Sequence, residues 1–156
     1  MTYIAVCGPA LADEQERAWA EEIGGLVAHA GAVLVCGGLG GVMDAAAAGA
    51  RSAGGTVLGI LPGDSRAGES PNVTVSVPTG LGEARNALVA RSADAVIAVS
   101  GEFGTLSEIA LALKMGKPVV GLGTWELAKG GNPNEAIVRA DTPAGAVEEA
   151  LRLARA

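Results

Sequence analysis

The sequence predicts an α/β fold, a doubly wound and mainly parallel sheet of about seven strands with helices on both faces. Three observations carry that expectation. Short apolar runs recur along the chain, and most are continuously apolar rather than alternating, which is the pattern of strands covered on both sides. Stretches with helical spacing separate them. Glycine-rich turns follow two of the runs, at carboxyl ends of strands, where open α/β sheets bind ligands.

Tyr3 to Gly8 reads as the first strand. Asp13 with Glu16 forms an N-cap pair for a helix ending at His29-Ala30-Gly31, where Gly31 supplies a left-handed terminator and His29 suits the helix dipole. The second strand, Ala32 to Cys36, runs into the turn Cys36-Gly-Gly-Leu-Gly-Gly-Val-Met-Asp44. A helix over Ala45 to Ala50 follows, with so little side-chain bulk that it can lie very close to its neighbours. Thr56 to Leu61 and Val73 to Val77 are the third and fourth strands, joined by the one long polar loop, Gly63 to Asn72, in which Asp64 and Arg66 read as solvated. Arg85 and Asn86 open a helix to about Arg91. The fifth strand, Ala95 to Val99, leads through Ser100 to Glu108 into the helix Leu106 to Met115, with Gly116 as its cap. Val119 to Leu122 and Ala136 to Arg139 complete the strands. Thr142 before Pro143 opens the last helix, through about Ala154.

A chain of 156 residues with no separating linker fits one domain, residues 1–156, of the Rossmann-like nucleotide-binding kind. Apolar residues make up 49% and charged residues 18%, and no apolar stretch approaches a membrane span, so a soluble protein is expected. Met1-Thr2-Tyr3 passes straight into a strand without a basic leader, so the expected location is cytoplasmic. A net charge of −6 with no Lys or Arg cluster argues against nucleic acid and for a small ligand. Cys7 and Cys36 end the first two strands, but with one His in the chain a metal site lacks ligands. Both are read as small buried thiols.

The chemistry concentrates at two turns. At Ser100-Gly-Glu-Phe-Gly-Thr-Leu-Ser-Glu108 a glycine turn joins a buried strand to a helix start, a ready-made phosphate site built from backbone amides and the helix dipole. Gly101, Glu102, Phe103, Gly104 and Thr105 are its candidate ligand contacts, with Glu108 a turn into the helix. Thr105-Leu-Ser-Glu108 equally matches a capping box, in which Glu108 bonds back to the Thr105 amide. At the first turn, Gly37, Gly38, Gly40 and Gly41 are candidates to cup a phosphate or ribose. The turn is no dinucleotide fingerprint, since Met43 stands where the third glycine belongs, and Gly116-Lys117 is followed by Pro118 rather than by a Walker serine or threonine. Spacing alone does not bring Arg85 to Glu108. Trp19 and Trp125 read as core or interface, with Trp125 near enough to a strand end to reach the crevice.

The ordered set Gly37-Gly38, Gly41-Val-Met-Asp44, Gly55 to Pro62, Arg85 and Gly101 to Glu108 resembles the proteins once labelled lysine decarboxylases. That family includes the LONELY GUY enzymes and the molybdenum cofactor carrier proteins, and the resemblance, from about Tyr3 to Leu122, is greatest to the bacterial carrier-like branch. The LONELY GUY hallmark Pro-Gly-Gly-x-Gly-Thr-x-x-Glu is kept at Gly101, Gly104-Thr105 and Glu108, and Arg85 matches an upstream arginine. Ser100 replaces the proline, Glu102 the second glycine, and Asn86 a lysine.

The resemblance implies cleavage of the N-glycosidic bond of a nucleoside 5′-monophosphate, releasing base and ribose 5-phosphate. Glu108 would be the catalytic carboxylate, stabilising charge on the ribose and positioning water, and Arg85 the catalytic partner that orients it or holds the ligand. The alternative is a non-catalytic carrier of molybdenum cofactor, a phosphorylated pterin. No cofactor is required on either reading, the bound molecule being a nucleotide or molybdenum cofactor itself. Lysine decarboxylation finds no support, since no lysine sits in a motif for a pyridoxal site. The helix Leu106 to Met115, apolar almost all round, together with the resemblance, leads us to expect a homodimer or homotetramer in which a partner helps assemble Arg85 and Glu108.

Overall fold

A computed structural model describes all of the chain, Met1 to Ala156. In chain order the elements are β1 (Tyr3–Cys7), α1 (Glu14–His29), β2 (Val33–Cys36), α2 (Val42–Ser52), β3 (Val57–Leu61) and β4 (Val75–Pro78). A 3-10 turn (Gly82–Arg85) leads into α3 (Asn86–Ser92). There follow β5 (Ala95–Val99), α4 (Phe103–Lys114), β6 (Val119–Leu122), β7 (Leu127–Lys129), β8 (Asn132–Asn134), β9 (Ile137–Ala140) and α5 (Pro143–Ala154).

Seven strands form one all-parallel sheet in the order β4-β3-β2-β1-β5-β6-β9. The chain winds outward from β1 to β4, returns to lay β5 against the other side of β1, and winds outward again. The gap between the ends of β1 and β5 is therefore the switch point where such sheets bind ligands. Helices α1, α2 and α5 cover one face, over a core of 23 buried residues; α3 and α4 cover the other, over 12. No helix is long and apolar enough to cross a membrane.

The local signals read from the sequence reappear as bonds. The Asp13 carboxylate accepts from the Glu16 amide at 2.8 Å while Glu16 accepts from the Asp13 amide at 2.9 Å, a complete capping box. Thr142 caps α5 through the Gly145 amide at 3.0 Å, with Pro143 in the first turn. The poor bulk of α2 serves its contact with α1, where Gly24 and Gly49 let the two helix backbones touch. A Cβ on Gly24 would stand 1.9 Å from the Ala46 carbonyl oxygen, and one on Gly49 the same distance from that of Glu21.

Two features depart from expectation. The antiparallel hairpin β7–β8 has no counterpart among the expected strands, because three-residue strands of mostly exposed sequence leave no period to detect. Helix α4 begins at Phe103 with Glu102 as its N-cap, so the capping box at Thr105 does not form. Thr105 is buried inside the first turn instead, its side chain beneath Gly101.

Candidate functional site

Both glycine turns open at the switch point, one after β2 and one after β5. Gly8, just past β1, lies between Val42 of α2 and the Val99 carbonyl of β5, so close that a Cβ there would be 2.7 Å from each. Gly41 adopts φ 64°, and a Cβ on it would meet the Pro9 carbonyl oxygen at 2.2 Å. Both constraints let the β1–α1 connection lie across the start of α2, where the Val42 amide bonds to Pro9 at 3.0 Å. The amides of Gly40, Gly41 and Met43 are left without acceptors.

The second turn has the same character. Phe103, Gly104 and Thr105 donate no backbone bond, the first in α4 being Leu106 to Glu102 at 3.0 Å, and no side chain caps the helix. Free amides at a helix start attract an anion. Gly101 turns the chain at φ 109° over the Thr105 side chain. The Glu102 carboxylate makes no capping bond, while its carbonyl accepts from the Trp125 indole at 3.2 Å. Phe103, 75% exposed, stacks on Trp125 with ring centroids 5.6 Å apart.

Ser100 holds this loop in place by a device the sequence does not reveal. It is the one non-glycine residue with positive φ, at 49°, a region that costs about 1–2 kcal/mol. Three bonds from two distant stretches of chain hold it there: its hydroxyl donates to Glu16 at 2.6 Å, its amide donates to the Leu122 carbonyl at 3.0 Å, and its carbonyl accepts from the Thr124 hydroxyl at 2.5 Å. Glu16 thus serves the α1 capping box and the loop together. A proline, as in the LONELY GUY hallmark, has no amide hydrogen and a φ near −65°, so the loop here takes another path. Ser100→Pro is expected to cost about 3 kcal/mol in urea unfolding, whereas Ser100→Gly, which keeps positive φ, changes stability by about 1 kcal/mol or less. Equal losses in the two variants would show that the left-handed conformation is not what Ser100 maintains.

Arg85 and Glu108 come together within one chain, with no partner subunit needed. The 3-10 turn carries Arg85 along the crevice, and its Nη1 donates to the carbonyls of Gly37 at 2.5 Å and Ile60 at 2.7 Å. Glu108 projects from the second turn of α4 toward the ends of β1 and β2, where its charge acts on Cys7, Cys36 and Arg85. Burial pushes its carboxyl up to about 7, with Arg85 pulling the other way. No direct ion pair joins them. One buried donor, Arg85 Nε, has no protein acceptor.

Around this pair the neighbours are fixed. Asn86 donates to the Ser107 hydroxyl at 2.9 Å, which donates to the Gly104 carbonyl at 2.7 Å, tying α3 to α4. Asp44 accepts from Ser70 at 2.5 Å, Asn72 at 3.1 Å and Arg17 at 3.4 Å, and the Ser70 bond above all holds its carboxyl below the ordinary range. The Ser70 amide reaches the Gly38 carbonyl at 2.9 Å, so the polar loop is fastened to the first turn. Arg66 braces the edge strand through Ser76. Cys7 and Cys36 are buried free thiols; burial raises Cys7 well above the ordinary range and Cys36 to about 11, so neither is a thiolate near neutral pH.

The profile of the SLOG cluster4 family matches residues 1–147. An uncharacterized protein of Archaeoglobus fulgidus is 46% identical over 121 residues, 76% of this chain and 78% of that protein. Among solved structures, the molybdenum cofactor binding protein of Rippkaea orientalis superposes with TM-score 0.90 at 38% identity, covering 97% of this chain and 96% of the other. The molybdenum cofactor carrier protein of Chlamydomonas reinhardtii gives TM-score 0.85 at 36% identity over the full length of both chains.

Proposed function

The chain belongs to the SLOG cluster4 family, and on that premise we propose that it binds and carries a small phosphorylated ligand, molybdenum cofactor being the strongest candidate. The observation that carries this reading is the near-complete likeness to a molybdenum cofactor binding protein at TM-score 0.90. The chemistry of the cleft agrees with it. Free amides at Phe103, Gly104 and Thr105 and at Gly40 and Gly41 suit a phosphate, and the unpartnered Arg85 Nε suits a further ligand oxygen. For the metal itself the donor set offers nothing: no group of three or more His, Cys, Asp or Glu converges, and both thiols are buried and protonated. The protein would grip the phosphate and the organic part. An assembly of two or four copies fits the exposed apolar residues Val75, Val77, Leu81 and Leu88.

A second reading, hydrolysis of a nucleoside 5′-monophosphate, draws on Glu108, whose carboxyl near 7 beside Arg85 is poised to exchange a proton. The hydroxyl, amide and carbonyl of Ser100 and the charge of Glu102 at the loop mouth set this loop apart from the hydrolase hallmark, which is why carriage is preferred. Size-exclusion of the protein after incubation with molybdenum cofactor is expected to bring molybdenum and pterin through with the protein peak. Incubation with AMP, GMP, CMP and UMP is expected to release no free base. Base release that disappears in Glu108→Gln, with no co-eluting pterin, would replace carriage by hydrolysis.

A further inference from the structure

On the far side of the Ser100–Glu102 loop a groove of about 730 Å³ lies over the carboxyl ends of β6 and β9, between Trp19 of α1 and the β7–β8 hairpin. Its volume falls in the range of small-molecule sites, roughly 300–1,000 Å³. It contains neither glycine turn of the cleft and neither Arg85 nor Glu108.

Both tryptophans of the chain line it. Each has a neighbour that positions its ring. Trp19 lies against Gly123, where a Cβ would come within 3.2 Å of its ring, and Trp125 is held by its bond to the Glu102 carbonyl and by Phe103. Both keep part of their surface exposed. Half-buried indoles on a groove wall offer apolar faces on which a flat ring can stack.

The β7–β8 hairpin forms the opposite wall. Of its six strand residues only Leu127 is even half-buried, and an isolated two-stranded hairpin is marginal by itself. It adds nothing to the core, yet Leu127, Pro133 and Asn134 wall the groove. Surface segments of this kind, carried on a rigid scaffold, are where binding residues concentrate.

Charge decides what the groove accepts. Glu126, Glu135 and Asp141 face one cation, Arg139, which is already held between Glu126 at 3.3 Å and Asp141 at 3.5 Å. An anion would meet an excess of carboxylates. We propose that this groove is a second ligand site, taking a planar heteroaromatic that is neutral or cationic and stacks on Trp19 and Trp125. It differs in charge preference from the glycine-turn cleft, and it does not depend on which function that cleft serves.

A matched series of quinoline, 1-methylquinolinium and quinoline-4-carboxylate carries one ring system at charges 0, +1 and −1. Each is titrated into the full chain while the two indole N–H resonances are followed by NMR. Quinoline and 1-methylquinolinium are expected to shift both indole signals saturably, with the carboxylate about tenfold weaker. Trp19→Ala should remove saturation at the Trp125 signal. The double variant Glu126→Gln, Glu135→Gln, confined to exposed side chains, should fold normally and bring the carboxylate close to quinoline. Absence of saturation with all three compounds, or equal affinity for them in the unaltered protein, overturns the proposal.

Discussion

Glu108→Gln should make the protein more stable by about 3 kcal/mol at pH 8 and leave it almost unchanged at pH 4. The reason is the buried carboxyl, which titrates at about 7 instead of the ordinary 4.5. Between those values the folded chain holds a proton that the unfolded chain has released, so stability falls as pH rises from 4.5 to 7. The penalty is complete above 7 and absent below 4.5. Glutamine keeps the shape and has no charge to desolvate. Urea unfolding of both proteins across that range reads the difference directly; parallel stability curves would mean that Glu108 is ionised normally in the fold. In a hydrolase the same variant would also lose turnover while keeping ligand.

The second large effect belongs to the α1–α2 contact. Gly24→Ala and Gly49→Ala each place a methyl 1.9 Å from a backbone carbonyl oxygen of the facing helix. Alanine gains about 1 kcal/mol over glycine from helix propensity, but neither carbonyl can yield unless the helices separate, and overpacking of this kind costs about 3 kcal/mol or more. Each variant is expected to lose about 2 kcal/mol net. Gly25→Ala provides the opposite case one residue along, since its Cβ would sit at an ordinary 3.7 Å from the Gly49 carbonyl. There propensity acts unopposed and the protein gains a few tenths to 1 kcal/mol. The double variant at 24 and 49 should cost less than the sum, because helices already moved apart accept the second methyl more easily. Thermal or urea unfolding of the four proteins checks the signs.

Much of the fold was legible because its signals are local. Continuous apolar runs mark strands covered on both faces, and all seven expected strands join one parallel sheet within a residue or two of their expected bounds. Asp13 with Glu16 and Thr142 with Pro143 fix their helix starts through bonds three residues apart. The hairpin is silent in the sequence because Leu127–Lys129 and Asn132–Asn134 carry no buried period. The capping box at Thr105 is a false local match: the helix starts at Phe103, and Thr105 lies inside its first turn, buried under Gly101.

By itself the sequence determined the seven strands of the main sheet, their parallel winding and the two glycine turns, since periodicity, caps and turn chemistry act between residues near in the chain. Only the tertiary structure decided what stands around those turns. Laying β5 against β1 is a long-range choice, and it makes neighbours of Glu108, two cysteines 29 residues apart and an arginine carried in by a 3-10 turn. The positive φ of Ser100 is equally non-local, held by Glu16, Leu122 and Thr124 from outside its own loop. The conformation and charge of a site depend on groups that burial brings together, and sequence separation carries no record of that proximity.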